Sequence, residues 1–454
     1  MIHNDLQSLK ETNSVDDLAY TAVFSSDEAT KAEARRQIHT RARAAGAVPS
    51  SILPLYRAIG SGAVTRKFTV PAFNIRALTY DVARALFRAA MRNNVGPFVF
   101  EIARSEIGYT EQRPGEYAAC VLAAALAEGY KGPVFIQGDH FQASHKKWST
   151  EEGKASEIKA LESLIDEAIA AEFYNIDIDT STLVDLSFPT REEQQHTNYT
   201  YTAHFTKYIR ERQPKGIEIS IGGEIGEVGK YNTQPDEVRA YIDGVKRLLG
   251  DPGMAKISVQ TGTSHGGVPM ADGSIAEAKI DFDVLRETTR ICRDEYGIAG
   301  SVQHGASTLP EEVFNNFPDN DAVEIHLATG FQNMILDAPS LPAEMKSAIR
   351  DFCFANCMDE RKDGETDEQF VYKTRKKAIG PFKQQMWELD AAHKQPIIDA
   401  IEKKFEFLLD KLAVFNTRDI LDQYVTASSS ELPEYSAASA ELTAAATVDP
   451  NEGE

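Results

Sequence analysis

The chain has 454 residues, with 48 Lys and Arg against 69 Asp and Glu, a formal charge of −21. That balance excludes duplex nucleic acid and anionic membrane surfaces as partners, since both are held by clustered positive charge. The length fits one large domain with additions or two to three ordinary ones; 42% hydrophobic and 26% charged residues are the profile of a globular protein, and four cysteines make no disulfide framework. No apolar run reaches the ~18 residues that span a bilayer. The opening MIHNDLQSLKETNSVDD lacks the basic and apolar regions of a signal peptide, so a cytoplasmic location is expected.

Residues 1–66 are predicted to form an N-terminal helical extension; KAEARRQIHTRARAAG is rich in helix formers and ends on Gly46, a helix-terminating glycine. From Lys67 the texture changes. Short β-rich runs alternate with amphipathic stretches: FTVPAF (68–73), PFVFEI (97–102), PVFIQG (133–138), NIDID (175–179), IEISIG (217–222), KISVQT (256–261), GSVQH (300–304) and AVEIHL (322–327). Strand–helix alternation at this spacing predicts a parallel sheet, and eight such units over 67–340 predict a TIM (β/α)8 barrel, with an open doubly wound sheet as the alternative. Residues 341–425 read as a C-terminal helical extension, with a basic island, KTRKKAIGPFK, and a long amphipathic helix, IIDAIEKKFEFLLDKLAVF. Residues 426–454, small and acidic, read as a disordered tail.

Alternation within the runs points acidic groups at the barrel interior. Ile217, Ile219 and Ile221 oppose Glu218, Ser220, Gly222 and Glu224; Ile176 and Ile178 oppose Asn175, Asp177 and Asp179; Val323, Ile325 and Leu327 oppose Glu324, His326 and Ala328. Buried carboxylates require a neutralising cation, and a metal ion near the barrel mouth would supply it.

Three histidines stand at strand ends, where barrel enzymes place their chemistry: His140, His265 and His304, after the third, sixth and seventh runs. Three converging imidazoles suit a catalytic metal with an open position. Glycine-rich turns follow two of them, His265-Gly266-Gly267 and His304-Gly305-Ala306-Ser307, and offer backbone N–H groups to an anionic substrate. Asp139, a candidate general acid–base, directly precedes His140. Neighbours in a regular strand face opposite ways, so both reach one site only if the chain is already turning there.

These residues resemble the class II, metal-dependent fructose-bisphosphate aldolases and the related tagatose-bisphosphate aldolases. The matching segments, in family order, are VPAFN (70–74), VFIQGDH (134–140), GGEIGEVG (222–229), TQPDEV (233–238), TGTSHGG (261–267), QHGAST (303–308) and KKAIGPFK (376–383). The resemblance implies a TIM barrel, Zn²⁺ held by His140, His265 and His304 with Glu224 as a further carboxylate ligand, and Asp139 as the acid–base group. It implies a second acid–base group for which Glu227 is the nearest candidate, and substrate contacts from Asn74, Gly266, Gly305 and Ser307. Asp179 or Asp185 matches a family Asp after the fourth strand; Asp179, taken among the metal ligands, is favoured because it ends the strand. His326 stands where the family has an Asn-x-Asp-Thr pattern that contacts substrate. Lys383 stands in a C-terminal segment whose basic residues reach a substrate phosphate across a dimer interface, so a homodimer or higher oligomer is implied.

The implied reaction cleaves or forms a C–C bond in a ketose bisphosphate, giving dihydroxyacetone phosphate and an aldehyde. The departures fall in the substrate pocket: His326-Leu327-Ala328-Thr329 on the last strand, Val268-Pro269-Met270 after His265, and EIARSEIGYT at the second strand end. They keep open an epimerase or aldolase acting on a ketose without two phosphates. A non-catalytic accessory subunit is disfavoured by the retention of Asp139 and all three histidines.

Overall fold

The computed structural model describes residues 7, 9, 14–226, 231–262, 280–306 and 309–427. Capping chemistry sets its N-terminal segment. Ser14 and Asp27 start helices Val15–Phe24 and Glu28–Ala45 by accepting from the backbone N–H of Asp17 and Thr30. Gly46, at φ 96°, ends the second helix in the left-handed conformation. The chain then enters a short strand, β1 (Ala47–Pro49), which the helical expectation for residues 1–66 did not contain.

Eight further strands follow: β2 (Val70–Asn74), β3 (Val99–Ala103), β4 (Gly132–Gln142), β5 (Asn175–Asp179), β6 (Ser220–Glu224), β7 (Lys256–Val259), β8 (Ser301–Gln303) and β9 (Glu324–Leu327). Each falls on one of the eight predicted runs. Every pairing is parallel, β2 pairs with β9, and β4 pairs with β5. The ring β4-β3-β2-β9-β8-β7-β6-β5 therefore closes, which settles the architecture as a TIM barrel with helical extensions rather than an open sheet. Strand β1 lies outside the ring and pairs with the first residues of β4, Ala47 with Gly132 through Pro49 with Val134.

The alternation holds within the strands, with one correction. Ile176, Ile178, Ile221, Ile325 and Leu327 are buried. Glu218, expected inside, lies before β6 begins and forms an ion pair with Arg57 at the surface, 2.5 Å apart. The backbone there is claimed by side chains instead of a ladder. Ile219 N donates to Gln213 Oε1 at 3.0 Å, and Arg210 Nη1 donates to Ile219 O at 2.7 Å.

The C-terminal extension covers the first barrel unit. Helix Ala391–Lys411 lies against helix Thr79–Arg92, with Arg88 and Arg92 paired to Glu402. Phe405 packs its ring 4.8 Å from both Phe73 of β2 and Phe331. Among the described residues, no helix is long and apolar enough to cross a membrane. Residues 428–454, most of the expected tail, lie outside the described residues.

Candidate metal and acid–base site

Asp139 and His140 reach the same place through a bulge. Strand β4 pairs with β3 without interruption up to Ala103–Asp139, but its register with β5 jumps from Gly138–Ile176 to Phe141–Ile178. Three steps along β4 match two along β5, so one residue is extra. His140 takes φ 39° to absorb it, a strained value for a residue with a side chain. The ring of Phe141 folds over Gly138, where a Cβ would come within 2.5 Å of it, so the bulge needs glycine there. The turn expected from the Asp-His pair is thus a kink inside a strand that continues to Gln142.

Strand ends bring the other groups to this kink. His140 Nδ1 lies 2.9 Å from Asp179 Oδ2 at the end of β5 and 3.4 Å from Glu224 Oε1 at the end of β6. His304, just after β8, places Nε2 3.5 Å from the same Glu224 oxygen and 3.0 Å from Ser258 Oγ. The two imidazole rings meet edge to face with centroids 4.3 Å apart. Asp139 Oδ1 stands 3.8 Å from His140 Nε2. Gly305, at φ 67°, turns the chain directly after His304.

The electrostatics follow from burial and crowding. Burial and the nearby Asp179 and Asp139 charges push the Glu224 carboxyl up to about 8, against the pull of His140. Burial works to lower His140, but Asp139, Glu224 and the Asp179 bond together hold it well above the ordinary histidine value. Asp179 is buried too, yet bonds from His140, Ser181 and Gln142 hold it below its usual range. Glu224 Oε1 is buried and accepts no hydrogen bond from any described residue.

Donors bound at ~2.0–2.1 Å around a tetrahedral ion stand roughly 3.3–3.4 Å apart. The spacing of Glu224 Oε1 from His304 Nε2 is close to that value, while the His140 nitrogen nearest Glu224, Nδ1, is the one bonded to Asp179. The combinations Asp139–His140–His304 and His140–Asp179–Glu224 each present ligand atoms close enough to share one ion, as do Glu101–Asp139–His326 and Asp177–Glu324–His326 deeper in the barrel.

Deeper in the barrel a second charged cluster is built around a lysine, although Glu101 Oε1 and Asp177 Oδ1 accept no hydrogen bond from any described residue. Lys256, on the inward phase of β7, donates to Gln137 Oε1 at 2.9 Å and Asp177 Oδ2 at 2.8 Å, and also to Glu324. Tyr56 donates its hydroxyl to Glu324 as well. His326 Nε2 lies 2.6 Å from Glu324 Oε1, and its Nδ1 lies 3.1 Å from both Glu101 Oε2 and Asp139 Oδ1. Burial opposes charge on Lys256, but Asp177 and Glu324 raise it above the ordinary lysine range. Burial likewise opposes charge on Glu324, yet Lys256 and His326 pull it down to about 2. For Asp177 and Glu324 the cation expected beside buried carboxylates is Lys256. A charge on the inward phase of KISVQT was the available signal.

The remaining predicted residues are dispersed. Asn74 is buried and donates to Glu106 Oε2 at 2.5 Å, and Arg76 Nε donates to Glu106 Oε1 at 2.8 Å. Lys383 donates to Glu116 Oε1 and to the carbonyl of Glu111, both at 2.7 Å, and is not brought to the histidines. Lys376 sits 5.6 Å over the Tyr109 ring; burial and the Arg76 charge lower it to about 8. Asp185 is a surface group that accepts from Ser187 N. His265, Gly266, Glu227 and Ser307 lie outside the described residues.

A closed parallel barrel with imidazoles and carboxylates on its strand ends defines a barrel enzyme with a metal-type donor set. The family model for class-II fructose-bisphosphate aldolase matches residues 56–394, and the chain belongs to that family. Membership makes it an aldolase-type lyase of a family generally dependent on a divalent metal. No curated protein matches the chain significantly. Among solved structures, one described as a probable tagatose 6 phosphate kinase from Sinorhizobium meliloti 1021 is 16% identical at TM-score 0.52, covering 84% of this chain and 97% of that one. The fructose-bisphosphate aldolase of Campylobacter jejuni is 16% identical at TM-score 0.47, covering 82% and 97%. The YdjI aldolase of Escherichia coli K12 is 14% identical at TM-score 0.41, covering 76% and 99%.

Proposed function

We propose that the protein is a zinc-dependent aldolase that cleaves or forms a C–C bond in a phosphorylated ketose resembling fructose 1,6-bisphosphate. It would work in the cytoplasm, where its four buried free cysteines stay reduced, and as a homodimer. The observation that carries this reading is the buried Glu224 oxygen, 3.4 and 3.5 Å from two imidazole nitrogens and without a donor of its own among the described residues. Burying such an oxygen is costly unless a cation stands between the three groups.

His140, His304 and Glu224, joined by His265, would hold the ion, and imidazole with carboxylate suits zinc. When bound, it supplies Lewis-acid polarisation of the ketose carbonyl. Asp179, bonded to His140 Nδ1, Gln142 and Ser181, would orient the His140 ring and leave Nε2 as the nitrogen for the ion. Asp139 takes the hydroxyl proton as the bond breaks and returns it in condensation. Glu227 would exchange the proton on the three-carbon fragment. Asn74, Gly266, Gly305 and Ser307 would position the substrate and its phosphate. Lys256 is not an imine-forming lysine, because its ammonium is buried and held charged by two carboxylates.

One observation favours the second reading, a ketose without two phosphates: Lys383 is engaged by Glu116 and Arg76 by Glu106, so two candidate phosphate cations are already paired. Zinc analysis with an aldol-cleavage screen over C6 and C7 ketose phosphates and unphosphorylated ketoses tests both. The proposal expects about one zinc per chain and cleavage of a phosphorylated ketose. Metal-independent cleavage, or none on any substrate, contradicts it.

A further inference from the structure

We propose that His326 is a positioning residue for Asp139: it anchors the acid–base carboxylate at the barrel mouth to the charged cluster in the barrel interior, and does not contact substrate. This rests on the reading of Asp139 as the acid–base group.

The geometry is specific. The His326 ring is 5% exposed, and each of its nitrogens faces carboxylate oxygens. Nδ1 stands 3.1 Å from Asp139 Oδ1 and 3.1 Å from Glu101 Oε2, while Nε2 stands 2.6 Å from Glu324 Oε1. Turning the ring over would put C–H groups against all three acceptors. Both polar atoms are therefore committed within the protein, which leaves none for a sugar hydroxyl or phosphate.

The ring is also held on its face and at its far end. It stacks on His304 with centroids 4.2 Å apart and planes inclined by 24°. Glu324 cannot drift, because it accepts from Lys256, from the Tyr56 hydroxyl and from Gln137 Nε2 at 3.1 Å. The connected path Asp139–His326–Glu324–Lys256 thus runs from a strained bulge to the most strongly bonded point of the interior. Asp139 needs such an anchor: the bulge that aims it at the mouth also takes it out of the regular β4–β5 register. Glu101 shares Nδ1, so the imidazole stands between the two carboxyl groups. A reacting carboxylate displaced by about 1 Å loses roughly 10²-fold in rate, so fixing it is a kinetic function distinct from binding.

The test uses zinc-loaded, full-length His326→Ala and His326→Gln proteins. In His326→Ala, kcat should fall roughly 10²-fold while KM stays within about three-fold and zinc content stays at the wild-type level. His326→Gln, whose amide can still donate to Asp139, should recover part of kcat. A rise in KM with kcat retained would make His326 a substrate contact and overturn the proposal. Zinc, melting temperature and kcat falling together without recovery in His326→Gln would overturn it in favour of a structural role. Crystal structures of the wild type and His326→Gln supply an arm independent of turnover and of alanine-variant folding. The proposal expects Asp139 to keep an equivalent bond to the amide; an amide bonded elsewhere with Asp139 unmoved would overturn it. Should the wild type cleave no ketose, the aldolase reading fails, while the Asp139 geometry still decides this one.

Discussion

The barrel mouth and the barrel interior hold similar side chains, yet they complete their charges differently. In the interior, Asp177 and Glu324 share the Lys256 ammonium, and Tyr56, Gln137 and His326 fill further positions. At the mouth, Glu224, Asp139 and Asp179 gather around His140 and His304. The interior carries a lysine bonded to two of its carboxylates, whereas the carboxylates described at the mouth are met by imidazoles. Acidity alone therefore does not locate a metal site; the group that neutralises each carboxylate has to be identified as well.

The largest expected effect breaks the mouth alone. His140→Ala or His304→Ala should lose bound zinc and bring turnover below detection, while the metal-free protein stays folded; metal analysis with a cleavage assay checks this. A variant that retains both zinc and activity would remove its histidine from the site. Next, Asp139→Asn should lower kcat by roughly 10²–10⁴ with zinc content near normal. Metal loss in that variant would make Asp139 a ligand.

The interior breaks differently. Lys256→Met leaves Asp177 and Glu324 buried without their cation and should cost about 3–5 kcal/mol in denaturant unfolding. A loss below about 1 kcal/mol would show that the interior does not depend on this lysine.

The mouth should also respond to pH once stripped of metal. Glu224 stands at about 8 in the fold against an ordinary 4.5, so the folded state holds its proton more tightly. Its contribution is present below the unfolded value and is lost as pH rises through 8. His140, raised above 6.5, runs in the same direction. The metal-free protein should therefore melt lower at alkaline than at mildly acidic pH, zinc should narrow the gap, and Glu224→Gln should flatten part of the slope. A melting temperature that rises with pH in metal-free protein would contradict the crowding at the mouth.

The smallest effect lies outside both regions. Lys383 is tied to the largely buried Glu116, which Arg35 also approaches at 3.7 Å, so Lys383→Ala should cost about 1–2 kcal/mol and shift KM less than about two-fold. A ten-fold rise in KM confined to phosphorylated ketoses would instead return Lys383 to the phosphate, across a subunit interface.

What the sequence made legible follows from the range of the interactions. The eight barrel strands are local features, marked by runs of β-formers and period-two alternation, and each was visible. The strand-end positions of Asp139, His140 and His304 and the inward phase of Glu224 were visible in the same local pattern, while the role given to Glu224 came from the family resemblance. Strand β1 was missed: Ala-Val-Pro has no alternation, and its partner Gly132 lies 85 residues away. The bulge at His140 depends on the register of β5, which the β4 sequence does not contain. Lys256 was passed over because its partners Gln137, Asp177 and Glu324 are 119, 79 and 68 residues distant. Lys383 looked like free charge in a basic island because Glu116, 267 residues upstream, claims it only in the fold.

The central claim is that the mouth, not the interior, takes a divalent cation. Anomalous diffraction at the zinc edge from crystals of the zinc-loaded protein tests it most directly. The account expects one strong peak at ~2.0–2.2 Å from a nitrogen of His140, a nitrogen of His304 and an oxygen of Glu224. No peak there at saturating zinc, or a peak among Asp177, Glu324 and His326, would contradict it.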